Sequence, residues 1–200
     1  MDGEVKILTL VIPVDDDKRV LLGLKKRGFG EGYYNGFGGK VEPGEYTNTH
    51  NLRQKVTLRS AVRLPLGAKS RLLTSSFLGG LFVSGVGESV EEAAARELEE
   101  ESELRSPKLD KRGVLTFHYD DKPKPLEVHV FRVSEYEGVP AETEEMRPEW
   151  FAFDQIPFQK MWADDALWYP LFLSGKTFEG EFYFENTHDL KRHELRETTT

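Results

Sequence analysis

Half of the residues in "EEAAARELEEESEL", Glu91 to Leu104, are glutamates, and carboxylates gathered on one side of a helix can hold a metal ion. At about 100° per residue, Glu97, Glu100 and Glu101 fall within about a 100° arc. Val90, Ala93 and Ala94 share that side and Leu98 lies beside it, while Glu92, Glu99 and Glu103 occupy the opposite side. The second set reads as a solvated face. The first shares its side with residues that should meet the protein body, where three carboxylates repel one another and lose hydration. A hard divalent cation with oxygen ligands resolves that conflict, and Mg2+ is the candidate. The ordinary alternative for a Glu-rich helix is surface charge throughout.

Ser89 begins this helix with Glu92 three residues on, a capping box. Ahead of it stands "RGFGEGYYNGFGGKVEPGE", Arg27 to Glu45, whose seven glycines let backbone approach a ligand closely. Between the two, Tyr46 to Gly87 contains no Asp or Glu and six Lys or Arg, with no sustained period. It reads as an irregular insertion, or else as a basic binding loop. "KILTLVIPV" and "RVLLGLKK" read as strands around the turn "DDDK". "GVLTFHYD", "LEVHVFRV", "RPEWFAF" and "EGEFYFEN" are further strands. "DDALWYPLFLSG" is a short helix containing Pro170, and the polar tail from Leu190 is expected to fray.

The formal charge of −8 argues against binding a nucleic-acid polymer but leaves room for a small phosphorylated ligand. There is no cysteine, so disulfides and thiolate metal sites are excluded. "MDGEVKILTLVIPV" is acidic early and its apolar run is short, so no signal peptide, transit peptide or membrane span is expected.

"GKVEPGE", Gly39 to Glu45, and "RELEEESEL", Arg96 to Leu104, together resemble the Nudix hydrolase box, G-x5-E-x7-R-E-U-x-E-E-x-G-U with U aliphatic. The box is interrupted: fifty residues separate Glu45 from Arg96 where the pattern has seven. Removing either Glu45–Gly87 or Tyr46–Glu88 restores it; the resemblance implies that Arg96 pairs with a box glutamate, either Glu45 or Glu88. Glu103 stands where the pattern has Gly, a left-handed helix end in which a side chain costs about 1 kcal/mol. "GYYNGFGGK" and "MWADDALWYP" are similar to the members of this family that act on oxidized purine nucleotides.

The resemblance implies a Nudix α/β/α sandwich with a mixed β-sheet. It would be one domain built from residues 1–45 and 88–190, interrupted at 46–87 and followed by a flexible tail at 191–200. It implies Mg2+-dependent hydrolysis of 8-oxo-dGTP and 2-hydroxy-dATP to monophosphate and pyrophosphate, cleansing the nucleotide pool ahead of DNA synthesis. The expected protein is a cytoplasmic monomer, with nucleus and mitochondria left open, acting on a small nucleotide and on neither membranes nor nucleic-acid polymers. Metal ligands carried over are Glu97, Glu100, Glu101 and Glu145, with a backbone carbonyl from Gly38 or Gly39; the general base is Glu101 or Glu145. The base pocket carried over is Thr9, Lys25, Phe29, Asn35, Phe117, Leu126, Trp162, Asp164, Asp165, Trp168 and Phe184. Trp162 would offer a stacking face. One of the adjacent aspartates would hold a proton, so that the pair donates to a keto oxygen and accepts from a ring N–H. Two other readings remain: a Nudix hydrolase for another nucleotide, such as a methylated purine, or a nucleotide-binding module silenced by the interruption.

Overall fold

The computed structural model describes residues 5–42 and 87–199, of which 5–42 and 88–199 belong to one unit. The expected insertion at 46–87 lies outside the described residues, apart from Gly87.

Strand β1 (Lys6–Pro13) is buried from Thr9 onward, and its alternation serves two cores. Leu10 and Ile12 enter a core with Trp168, Tyr169 and Phe172, while Val11 enters another with Ala94, Leu98 and Phe131. Strand β2 (Arg19–Lys25) divides likewise, Val20 and Leu22 to the first core and Leu21 to the second. Near-continuous apolar runs are what strands covered on both faces require. The remaining elements are β3 (Tyr34–Asn35), α1 (Val90–Ser102), β4 (Asp110–Tyr119), β5 (Leu126–Val133), β6 (Met146–Ala152), α2 (Asp165–Leu173), β7 (Thr177–Glu185) and β8 (Asp189–Thr198).

Five strands form a mixed sheet in the order β1-β5-β4-β7-β8, with β1 parallel to β5 and β4 parallel to β7. A second, antiparallel sheet runs β3-β2-β6. β1 and β2 therefore part company across "DDDK", where the Val14–Val20 bridge still links the two chain segments. Helix α1 packs on β1 and β6, and α2 on β7, giving the expected α/β/α layering. No helix among the described residues is long and apolar enough to cross a membrane.

The C-terminal tail is ordered as β8, not frayed. β7 would otherwise present an open edge of unpaired backbone groups. Leu190 and Leu195 pack on the α2-side core, and Arg196 pairs with Glu179 at 2.6 Å. The polar residues between them face outward, which is why the segment resembles a tail in sequence.

Helix α1 starts as expected, with Ser89 accepting from the Glu92 amide and Glu92 accepting from that of Ser89. It ends at Glu103 in the left-handed conformation (φ 61°, ψ 14°). Glu103→Gly should therefore stabilise the fold by about 0.5–1 kcal/mol, less the chain entropy that glycine adds to the unfolded state. Thermal melting is the check, and a lower midpoint would show that the strain is absent.

Candidate active site

The glycine-rich loop reaches α1 by crossing β1. The Thr9 amide donates to the Gly39 carbonyl at 2.9 Å, and the Val11 amide to the Phe37 carbonyl at 2.6 Å. A Cβ on Gly38 would collide with the Thr9 carbonyl, and one on Gly39 with the Glu97 carboxylate. Gly38 must be glycine for loop and strand to meet, while a side chain at position 39 would displace the Glu97 carboxylate. The Gly38 amide then donates to Glu101 Oε2 at 2.8 Å.

Arg96 joins the halves of the interrupted box. Its Nε and Nη2 donate to the two oxygens of Glu88 at 2.8 and 3.0 Å, and Nη1 reaches Glu97 at 2.9 Å and Glu100 at 3.1 Å. Nη2 also reaches the Lys40 carbonyl, while Glu88 Oε2 accepts from the Glu42 amide at 3.2 Å. The two chain ends flanking the interruption are therefore clasped through one carboxylate. Among the described residues the partner of Arg96 is Glu88; Glu45 lies outside them. Both side chains of the pair are mostly shielded, so Glu88→Ala should cost about 1–2 kcal/mol by removing two of the guanidinium's bonds, with Glu97, Glu100 and the Lys40 carbonyl left as its partners. Denaturant titration measures it, and a loss below about 0.5 kcal/mol would mark the clasp as dispensable.

The glutamates are not equivalent. Glu101 is buried at 3% exposure, and its pKa is raised to about 7 because burial outweighs Lys25 and the Gly38 amide. Glu97 is raised by burial, partly offset by Arg96. Glu100 does not turn inward. Its side chain is 58% exposed, because the buried face centres on Ala94, Leu98 and Glu101 and leaves Glu100 at the outer limit of the arc. Lys25 Nζ lies 3.4 Å from Glu101 Oε1 and 3.9 Å from Glu145 Oε2, and Arg27 pairs with Glu145 at 2.5 Å. Among the described residues no three of these carboxylates form a closed metal cluster. They nevertheless fit a hard divalent cation in donor type. Glu97 rests on the cradle at Gly39, Glu101 is anchored by Gly38, and the ammonium of Lys25 lies between Glu101 and Glu145.

On the α2 side a second chemistry gathers. Asp164 and Asp165 are 3% and 2% exposed. Asp164 accepts from Trp168 Nε1 at 3.0 Å and makes no side-chain cap, contrary to an N-cap role; Asp165 accepts from the Trp162 amide at 2.9 Å. Burial raises Asp164 to about 6, and burial plus the charge of Asp164 raises Asp165 well above the usual range. The pair thus retains a proton where isolated aspartates would have lost theirs. Trp168 is fully buried and positions Asp164 from behind. Trp162 meets two near-parallel rings, Phe29 at 4.9 Å and His188 at 5.2 Å, so a base stacking there takes the place of one of them. A cleft of about 390 Å³ opens beside it, lined by Phe29, Glu31, Tyr33, Trp162, Thr187 and His188; the two aspartates lie outside that lining.

Phe117 and Phe184 pack in the same core, with Leu126 at the β5 end paired opposite Phe117. Thr9 and Lys25 instead join the loop and carboxylates, and Asn35 Oδ1 accepts locally from the Gly36 amide. The sequence reading missed Tyr119, Lys122, Tyr33 and His188. Tyr119 stacks on Phe184 at 5.4 Å, and Lys122 sits over the Phe29 and Tyr119 rings at 3.9 and 4.0 Å. The period-two spacing of Phe117 and Tyr119 on one strand face was the available signal for the first.

Residues 66–172 match the NUDIX domain. Over 192 residues the chain is 41% identical to an oxidized purine nucleoside triphosphate hydrolase of Danio rerio, covering 96% of this chain and 95% of that one. The chain belongs to the Nudix family. A Mus musculus protein of the same description is 38% identical, with the same coverage. The fold of this Nudix chain is also that of a MutT protein from Bacillus halodurans, with a TM-score of 0.66 at 21% identity, covering 96% and 97% of the two chains. Nudix hydrolases act with a divalent metal, in keeping with the carboxylates around α1.

The aspartate pair sets a pH dependence. A carboxyl whose folded pKa lies above its unfolded value of about 3.8 binds more protons when folded, so stability falls as pH rises from about 4 to 6. Asp164→Asn keeps an acceptor for Trp168 and removes the charge. It should raise stability by about 2 kcal/mol above pH 6, with the gain vanishing near pH 4. Melting curves across that range decide it, and a gain independent of pH would refute the buried-charge account.

Proposed function

We propose that this chain hydrolyses oxidized purine nucleoside triphosphates, 8-oxo-dGTP and 2-hydroxy-dATP, to monophosphate and pyrophosphate with Mg2+. The observation that carries the reading is the buried, hydrogen-bonded pair Asp164 and Asp165 beside Trp162, in a chain that also bears the Nudix carboxylates. A protonated carboxyl donates to a keto oxygen and an ionised one accepts from a ring N–H, so one pocket suits both modified bases. The curated relatives at 41% and 38% identity support the substrate class. The domain is read as residues 1–45 with 88–190, extended by the ordered β8, and 46–87 as an insertion. The protein is read as a monomer whose substrate is a small nucleotide, acting in the cytoplasm.

Water attacks a phosphorus of the triphosphate, one phosphoanhydride bond breaks, and pyrophosphate leaves. A divalent metal supplies a lowered pKa for that water and neutralises charge on the departing group. Glu97, Glu101 and Glu145 would hold it, with Glu100 at the exposed rim and a backbone oxygen of Gly38 or Gly39. Glu101 and Glu145, both beside Lys25, are the candidates for taking the proton from water. Arg96 keeps Glu97 in place from the far side.

Glu101→Gln should reduce turnover by about 100-fold or more, weaken Mn2+ binding measured by paramagnetic resonance, and leave the thermal midpoint unchanged or higher. Wild-type turnover and Mn2+ affinity in that variant would remove Glu101 from the site. Orthophosphate as product would place the cleavage elsewhere. Hydrolysis of a methylated purine nucleotide in preference to 8-oxo-dGTP would favour the other substrate reading.

A further inference from the structure

The turn between β7 and β8 lays an imidazole on the indole of Trp162. The Glu185–Asp189 pair closes a three-residue loop, two of whose members, Asn186 (φ 49°) and Thr187 (φ 68°), are left-handed. That conformation is costly for a β-branched residue such as Thr187. The His188 amide holds it by donating to the Asn186 carbonyl at 2.8 Å, and the Asn186 amide donates to Asp120 Oδ2 at 3.4 Å. Backbone strain of this kind persists where the surroundings over-determine it, and it gathers at ligand sites. The loop brings His188 to Trp162 with ring centroids 5.2 Å apart and planes within 12°. Tyr33 stands edge-on to both rings, at 5.3 and 5.7 Å.

The ring neighbours of Trp162 fall into two groups. Phe29 stacks on the indole at 4.9 Å and leads through Tyr119 to Phe184, inside the aromatic core beside α2. Tyr33 and His188 form the other group. Among the described residues no ring of one group meets a ring of the other except through Trp162. Phe29 is the ring placed to yield to a base. It is 52% exposed, and it lies between Gly28 and Gly30, whose backbone rearranges at little steric cost. A base that takes its place keeps the indole between itself and the imidazole. We propose that His188 is a positioning residue that braces Trp162, so that oxidized purine, indole and imidazole form one continuous stack. A braced indole needs no ordering when the base arrives, which raises affinity. This rests on the reading of Trp162 as the stacking face for the base.

The test is calorimetric titration of 8-oxo-dGMP into the full chain, because the monophosphate reports base binding independently of turnover. His188→Ala should weaken binding about fivefold, the scale of one stacked ring pair, with the thermal midpoint unchanged because the side chain is exposed. His188→Phe restores a flat ring and should bind within about twofold of wild type. In a Trp162→Ala background the alanine at position 188 should have no further effect, since the brace acts only through the indole. Equal or tighter binding by His188→Ala, a His188→Phe variant as weak as His188→Ala, or a loss that persists undiminished without Trp162 would each overturn the brace and leave the base pocket standing. A wild type that does not bind 8-oxo-dGMP, or a Trp162→Ala variant that binds it equally well, would sink the base-pocket reading and the brace with it.

Discussion

Arg96 is the point on which the catalytic half of this molecule hangs. Its guanidinium is planar and presents donors in a fixed fork, so it can satisfy several acceptors at once. Here it holds Glu88 through two bonds and Glu97, Glu100 and the Lys40 carbonyl through others. Glu88 in turn accepts the Glu42 amide. A loop and a helix separated by a long interruption in sequence are thereby brought to a single junction. Among the described residues the Glu42 amide and Arg96 both meet Glu88, which ties the loop to the helix start despite the interruption. Closure entropy grows only logarithmically with loop length, and a mostly shielded charge pair is of comparable size.

With that junction fixed, two glycines set the close approach on which the carboxylates depend. Gly38 and Gly39 lack the Cβ atoms that would strike Thr9 and Glu97. Glu101 can then be both buried and hydrogen-bonded to backbone, which is the condition for keeping a carboxylate in a low-dielectric position. The aspartate pair obeys the same rule on the other side of the sheet. Trp168 and the Trp162 amide supply its hydrogen bonds, and burial favours the protonated form over two adjacent charges. The five-stranded sheet separates the two chemistries by covering both faces, one with α1 and one with α2.

Much of this was legible in the residues. The capping box, the inward side of α1, the left-handed end at Glu103 and nearly all strands follow from local periodicity and stereochemistry, which depend on near neighbours in the chain. The expectation for Glu100 failed because an arc of about 100° does not say where the helix touches its sheet. The expectation for the tail failed because β8 is ordered by an edge that only the folded β7 provides.

The sequence by itself determined the family, the carboxylate set and the presence of two adjacent aspartates beside tryptophans. These are matters of residue type and spacing. Tertiary structure alone decided that Arg96 takes Glu88, that Lys25 sits with the glutamates and that Trp168 supports Asp164 from behind. Each of these depends on distances between segments far apart in the chain. Such distances are set by which faces pack and which strands pair, and no local pattern of residues contains them.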